Sequence, residues 1–333
     1  MPEQHPVSAD GLVDELRERC AKKVDVRGIE PLTGGSSSLT FIVQTDDAPI
    51  VLKVAPPGLP PVRNRDVLRQ ARLLRRLANH DRVLVPRVHF EDAGDPPFFG
   101  MSLVPGECVE PILDASRDPA NFARVRARAF DAIDVLAALH QLDPDDLGLG
   151  DEPVVSLSAE IDRWTRAFAT VPEEWQGNYL DAAASLHAWM PEPLPPVVNH
   201  GDYRLGNTLC DGDRLTAVID WEIWSIGDPR VDLSWFCYFL DEARHPAASS
   251  IEPTGMPTRD EVVAAYTERL GRELPDLQWF DALTRYKEAA ATALILKRAA
   301  GADPSVTMSR MVKAFPTLLE EARTQQITWV PVS

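Results

Sequence analysis

Between His200 and Asp220 the chain sets three oxygen-bearing side chains at fixed intervals, in a stretch whose pattern allows little besides loop, short strand, turn and strand. Asp202 follows His200 and Gly201. Asn207 stands five residues later, and Asp220 thirteen after that, at the end of the apolar run Leu215 to Ile219. Taken singly, either carboxylate reads as a turn or helix-cap residue. Their spacing, followed by Gly227-Asp228-Pro229 and Asp232-Leu233, is harder to obtain by chance.

A phosphoryl-transfer site needs a carboxylate beside the attacking hydroxyl and two oxygen ligands on the magnesium that holds the nucleotide's phosphates, because the catalysis is mostly positioning and charge neutralisation. Asp202, Asn207 and Asp220 offer those three groups. The Asp-x4-Asn spacing matches the catalytic loop of the protein-kinase signature, with Asp220 where the Mg-binding Asp of the next loop stands. Here His-Gly-Asp replaces His-Arg-Asp, and Trp221-Glu222 replaces Phe-Gly. In this the chain resembles the aminoglycoside phosphotransferase family, most of all the branch found fused to, or encoded near, acyl-CoA dehydrogenases.

The resemblance implies an α+β, two-lobed, protein-kinase-like fold. Residues 1–104 would form a small antiparallel-sheet N-lobe with one helix that binds nucleotide, and residues 105–333 a larger, mainly helical C-lobe carrying the catalytic loop, metal site and acceptor pocket. Asp202 would be the base, with Asn207 and Asp220 on Mg2+ bound with ATP, or with GTP. His200 reads as a scaffold residue of the loop, and His140 as structural. Arg204 could touch a phosphate or an anionic substrate, or simply form a salt bridge. Glu222 could join the metal shell or the substrate site. Asp228, before Pro229, reads as a helix cap, and Asp232 as structural.

In Pro49 to Val54 a lysine stands within an apolar run. A strand buried on both faces rarely tolerates a cation unless something pairs with it. The resemblance makes Lys53 the ligand of the α- and β-phosphates. It also makes Thr33 to Ser38, and so Gly34, Gly35, Ser36 and Ser37, the nucleotide-binding loop, although Gly-x-Gly-x-x-Gly is absent; on its own a Gly-Gly-Ser run is more often an ordinary hairpin turn. The helix that should supply a Glu to the lysine carries Gln70 instead. An amide accepts a hydrogen bond but brings no charge, so Lys53 would rely on another acid such as Asp66, or on the nucleotide. Ser102, Leu103 and Val104 fall where the family's hinge meets adenine.

Val67, Ala71, Leu74 and Ala78 predict one buried stripe on a helix over 63–78, opposite arginines at 65, 69, 72 and 76. Ser8 or Asp10 would cap a helix ending at Cys20. Val83 to Phe90 and Pro97 to Val104 read as strands. Beyond them the pattern is helical, with Asp118-Pro119 as a start, Thr258 and Glu261 as a capping box, and an Ala-rich helix from Trp279 to Ala300. Trp164, Trp175, Tyr179 and Trp189 read as core, or as lining of the acceptor pocket.

The net charge of −17 is unevenly placed. Residues 1–104 carry 14 acidic and 14 basic side chains, leaving 37 acidic against 20 basic beyond them. That field disfavours nucleic acid and anionic membranes, favours cationic ligands, and also serves plain solubility. Four scattered cysteines read as reduced thiols; neither a secretory leader nor a long apolar span is evident, so a cytoplasmic location is expected. The composite expectation is an ATP-dependent kinase acting on a hydroxyl of a small molecule, either aminoglycoside-like or a hydroxy acid or hydroxyacyl thioester. The alternative is a nucleotide-binding module without catalysis. A metal-dependent hydrolase would need clustered His and Asp ligands, and none of the seven histidines is paired at metal spacing.

Overall fold

The computed structural model describes residues 9–32, 38–114, 117–298 and 306–324. They divide into two compact units, one within Met1–Gly106 together with Thr216–Ile223, the other within Glu107–Leu215 and Trp224–Ser333. The segment bearing Asp220, which the sequence placed with the C-terminal part, thus clusters with the first unit.

In the first unit, α1 (Ala9–Cys20) buries Leu12, Leu16 and Cys20, one position per turn, against the sheet. The strands β1 (Val26–Pro31), β2 (Leu39–Thr45), β3 (Ile50–Val54), β4 (Val88–Asp92) and β5 (Phe98–Ser102) are antiparallel in the order β1-β2-β3-β5-β4. This makes β3 the central strand, and every one of its residues is buried. The strand expected from Val83 starts only at Val88. Pro86 has no N–H to give a ladder, and Leu84 instead accepts from the Val218 N–H at 2.8 Å.

Between β3 and β4 lies α2 (Val67–Leu77). Its first expected turn is a short 3-10 segment, Arg63–Arg65, and Asp66 caps the α-helix by accepting from the Arg69 N–H. Val67, Ala71 and Leu74 are buried as the spacing predicts, joined by Gln70, Leu73 and Leu77, whereas Ala78 is exposed past the helix end.

The second unit contains α3 (Phe122–His140), α4 (Leu157–Phe168), α5 (Tyr179–Ala188), α6 (Arg230–Tyr238), α7 (Arg259–Leu270), α8 (Leu277–Arg298) and α9 (Val306–Thr324). Asp118 caps the 3-10 turn Pro119–Asn121 ahead of α3, and Thr258 with Glu261 forms the capping box of α7. A small sheet of β6 (Val154–Val155), β7 (Val197–Asn199) and β10 (Ser225–Gly227) has β10 in the middle. β7 leads into the His200 loop, β8 (Thr208–Asp211) leaves it, and β9 (Arg214–Val218) follows along the chain.

Residues of α4, α5, α6, α8 and α9 share one core, in which Phe168, Phe280 and Tyr286 are fully buried. The helix α9 was not anticipated. Its buried Met311, Phe315, Leu318, Leu319 and Ala322 do recur at helical steps, but Pro316 inside the helix interrupts the sequence signal. Trp164 joins the core as expected; Trp189 does not, being 58% exposed beyond α5.

Candidate functional site

In the first unit, burial obliges Lys53 to find partners within the chain. Lys53 stands on the central strand and is only 8% exposed, and its ammonium lies 3.2 Å from Ser38 Oγ and 3.2 Å from Asp220 Oδ1. A cation out of water needs such partners. Asp220 follows β9 with φ +67°, in the left-handed region where Asp is among the few non-glycine residues tolerated. The next three residues, Trp221–Ile223, form a 3-10 turn anchored by the Trp221 Nε1 bond to the Val218 carbonyl at 2.9 Å. Asp220 is therefore the acid that meets Lys53. The sequence nominated Asp66 for that place, but Asp66 is spent on capping α2.

Gln70 is buried and its Nε2 donates to the Asn64 carbonyl at 3.5 Å. The ammonium's acidic partner thus comes from the Asp220 turn and not from α2. Gly34, Gly35, Ser36 and Ser37 lie outside the described residues. β5 ends at Ser102, whose N–H is committed to the Arg87 carbonyl at 2.9 Å; Leu103 and Val104 lie past the strand. Glu222 is half-buried in the turn after Asp220.

In the second unit, the loop after β7 is fixed by a buried carboxylate. Asp232, on the first turn of α6, accepts from the His200 N–H at 2.6 Å and the Gly201 N–H at 2.8 Å. Burial opposes its ionisation, but the His140 and His200 rings and the Gly201 N–H outweigh that and hold its pKa below the usual carboxylate value. His140 Nε2 stands 3.6 Å from Asp232, and its Nδ1 is 2.5 Å from the Tyr266 hydroxyl. His200 Nδ1 accepts from the Asp202 N–H at 3.2 Å. Both histidines hold the loop's shape. Asp228 accepts from the Arg230 backbone N–H and guanidinium, closing a buried ion pair.

Asp202 is held from both sides. Asn207 Nδ2 donates to Asp202 Oδ2 and to the Asp202 carbonyl, both at 2.8 Å. With Nδ2 committed there, the Asn207 Oδ1 is the atom left to meet a cation. Trp235 Nε1 donates to Asp202 Oδ1 at 2.6 Å, and Arg204 Nε lies 3.4 Å from the same oxygen. Arg204 also reaches Glu110 Oε2 at 3.3 Å, an oxygen that accepts the Gly206 N–H at 2.9 Å. The guanidinium is thus engaged by two carboxylates of its own chain.

A second layer of ionisable groups surrounds this one. Burial pushes the Glu110 carboxyl up to about 7, although Arg204 pulls it down. Glu288 is likewise raised to about 7, by burial and by the Asp202 charge. Burial pushes His245 down to about 3, and its ring lies against Tyr238 and Phe239. Lys287 donates to the Gly201 carbonyl and sits 3.7 Å from the centre of the Trp235 ring. Burial lowers its pKa against the pull of Asp202 and Glu160.

None of Glu110, Trp235, Lys287, Glu288 or His245 was singled out from the sequence. One signal was available: Lys287 lies on the stripe Leu283, Lys287, Ala290 of an otherwise apolar face, the same anomaly that marked Lys53. Among the described residues no three His, Cys, Asp or Glu side chains cluster as a metal cage. An amide oxygen such as that of Asn207 and a carboxylate such as that of Asp220 are each the kind of hard donor that magnesium takes. No helix among the described residues is long and apolar enough to cross a membrane.

The description "Phosphotransferase enzyme family" matches residues 28–283. Mouse acyl-CoA dehydrogenase family member 10 is 25% identical over 316 residues, covering 86% of this chain but 28% of its own length. The chain thus spans little more than a quarter of that relative. Among solved structures, a Ralstonia eutropha JMP134 protein provisionally assigned as an aminoglycoside phosphotransferase is 23% identical, with a TM-score of 0.73 over 94% of this chain and 97% of its own. The streptomycin-ATP-APH(2")-IIa ternary complex is 18% identical, with a TM-score of 0.58 over 96% and 99%. At these identities the structures share the kinase-like fold with this chain.

Proposed function

Because the chain belongs to the phosphotransferase enzyme family, we propose that it transfers the γ-phosphate of a magnesium-bound nucleotide, ATP first, to a hydroxyl of a small molecule. The observation that carries this is the clamped Asp202 carboxylate, with Asn207 Nδ2 turned onto it and Asn207 Oδ1 left over. Asp202 orients and accepts the proton of the attacking hydroxyl. Asn207 and Asp220 are the magnesium ligands, and Lys53 meets the α- and β-phosphates. When bound, the metal neutralises charge on the phosphate oxygens. Gly34, Gly35, Ser36 and Ser37 are proposed for the phosphate loop, and Ser102, Leu103 and Val104 for the adenine.

A structure of similar fold is a complex with ATP, which supports ATP as donor. For the acceptor we place a hydroxy acid or hydroxyacyl thioester ahead of an aminoglycoside, on the likeness to a relative named as an acyl-CoA dehydrogenase. Arg204 does not decide between them, since it is already engaged by Asp202 and Glu110. The reaction belongs where nucleotide is plentiful, and a cytoplasmic site is proposed on that ground.

Gln70 favours a second reading, a nucleotide-binding module without catalysis, because its amide serves Asn64 and leaves α2 without an acid for Lys53. The Asp220 contact answers that loss within the same unit. The first experiment is a thermal-shift titration with MgATP on wild type and Asp220→Ala, since a ligand that binds only the native state raises its apparent stability. A shift in wild type that disappears in the variant supports the nucleotide site. No shift with ATP or GTP in folded protein overturns it.

A further inference from the structure

We propose that Trp235 is a positioning residue for the Asp202 carboxylate, and that Lys287 in turn holds Trp235 and the loop together. This rests on the phosphotransfer reading for the role of Asp202, and on geometry for everything else.

An ionised carboxylate offers about four lone-pair positions. Oδ1 of Asp202 receives the Trp235 indole N–H at 2.6 Å and faces Arg204 Nε at 3.4 Å. Among the described residues Oδ2 receives Asn207, at 2.8 Å. The open position is therefore on Oδ2, and that oxygen takes the hydroxyl proton. Trp235 decides which oxygen this is. Without its N–H, Oδ1 regains a lone pair and the carboxylate loses the short bond that resists rotation about its side chain.

The indole is itself fixed. Trp235 is 5% exposed and packs edge-on against Phe239. The Lys287 ammonium lies 3.7 Å from its ring centre and donates to the carbonyl of Gly201, the residue before Asp202. A buried ammonium over an indole face is attracted by the ring's quadrupole. One cation from α8 therefore ties the α6 indole to the backbone of the loop it serves. A buried tryptophan needs an N–H partner wherever it sits, so a purely structural role is the rival account.

Trp235→Phe separates the two, because it keeps the ring and removes the N–H. Phosphate release from MgATP with water as acceptor needs no identified acceptor molecule. Positioning predicts a kcat loss of about 10- to 100-fold, the scale for a displaced catalytic group, with KM for ATP and Tm nearly unchanged. Lys287→Met is expected to lower kcat in the same way, with Lys287→Arg restoring part of it. A second readout needs no turnover: the Trp235 indole 1H–15N resonance, identified by its loss in Trp235→Phe, should move upfield in Asp202→Asn while the other indole resonances stay.

An unmoved resonance, or a Trp235→Phe protein with wild-type kcat, overturns the positioning role alone. A loss of kcat that only tracks lost Tm overturns it too, in favour of the structural account. Wild-type protein that neither binds MgATP nor releases phosphate overturns the phosphotransfer reading, and with it the base that Trp235 would serve.

Discussion

The Lys53 ammonium and the Asp220 carboxylate stand 3.2 Å apart across 167 residues of sequence. A lysine in the central strand of a sheet is thereby paired with the turn that follows β9, while the Gln70 amide of α2 goes to the Asn64 carbonyl. The same carboxylate is the proposed magnesium ligand, so the two functions are coupled in one side chain.

From that coupling, Asp220→Asn should keep an acceptor for Lys53 yet lose the charge on which both the ammonium and magnesium depend. Wild type at a hundredfold excess of MgATP over Kd should gain about 2.7 kcal/mol of apparent stability. The variant should lose most of that gain while its nucleotide-free Tm changes by no more than a few degrees. Thermal-shift titration reads both quantities, and an unchanged MgATP shift would remove Asp220 from the metal site.

For Asp202→Ala, nucleotide binding should survive while turnover falls by about 10²- to 10⁴-fold, the usual worth of a positioned general base. The base meets the acceptor and not the adenine, so the MgATP thermal shift should stay near the wild-type value. Equal loss of both in a folded variant would contradict the assigned role.

Asp232→Ala should destabilise the protein by about 3 kcal/mol, because the N–H groups of His200 and Gly201 would be left buried without an acceptor. Urea unfolding at pH 7 measures it. The folded-state pKa of Asp232 is depressed, so its contribution is complete above the unfolded value near 4 and is lost as pH falls through the folded one. Asp232→Asn should accordingly show a shallower loss of stability in acid than wild type, over the window below about pH 4.

Glu288 works in the opposite sense. Its carboxyl is raised from 4.5 to about 7 by burial and by the Asp202 charge. Between those values the unfolded chain has released a proton that the folded chain keeps, so stability declines as pH rises through this window. Glu288→Gln should make that decline shallower by up to about 1 kcal/mol per pH unit. Denaturant midpoints at pH 5, 6, 7 and 8 test it; identical slopes for the two proteins would place the Glu288 carboxyl in a wetter setting.

Some of this was readable from residue order alone. The spacing of Asp202 and Asn207, the cation in the run Ile50–Val54, the Thr258–Glu261 capping box and the Asp118-Pro119 start all concern neighbours in the chain, where steric and hydrogen-bond rules act over a few residues. What the sequence could not rank was which distant group answers which. Asp66 and Asp220 were both acids available to Lys53; the capping demand of α2 occupied the first, and the turn after β9 delivered the second. Trp235 looked like an ordinary member of an aromatic helix, and Lys287, a cation on an apolar helix face, carried no sign of its partner. Only packing of α6 and α8 in one core brings them to the Asp202 loop, because a buried N–H and a buried ammonium each require a partner, and the fold decides which partner is within reach.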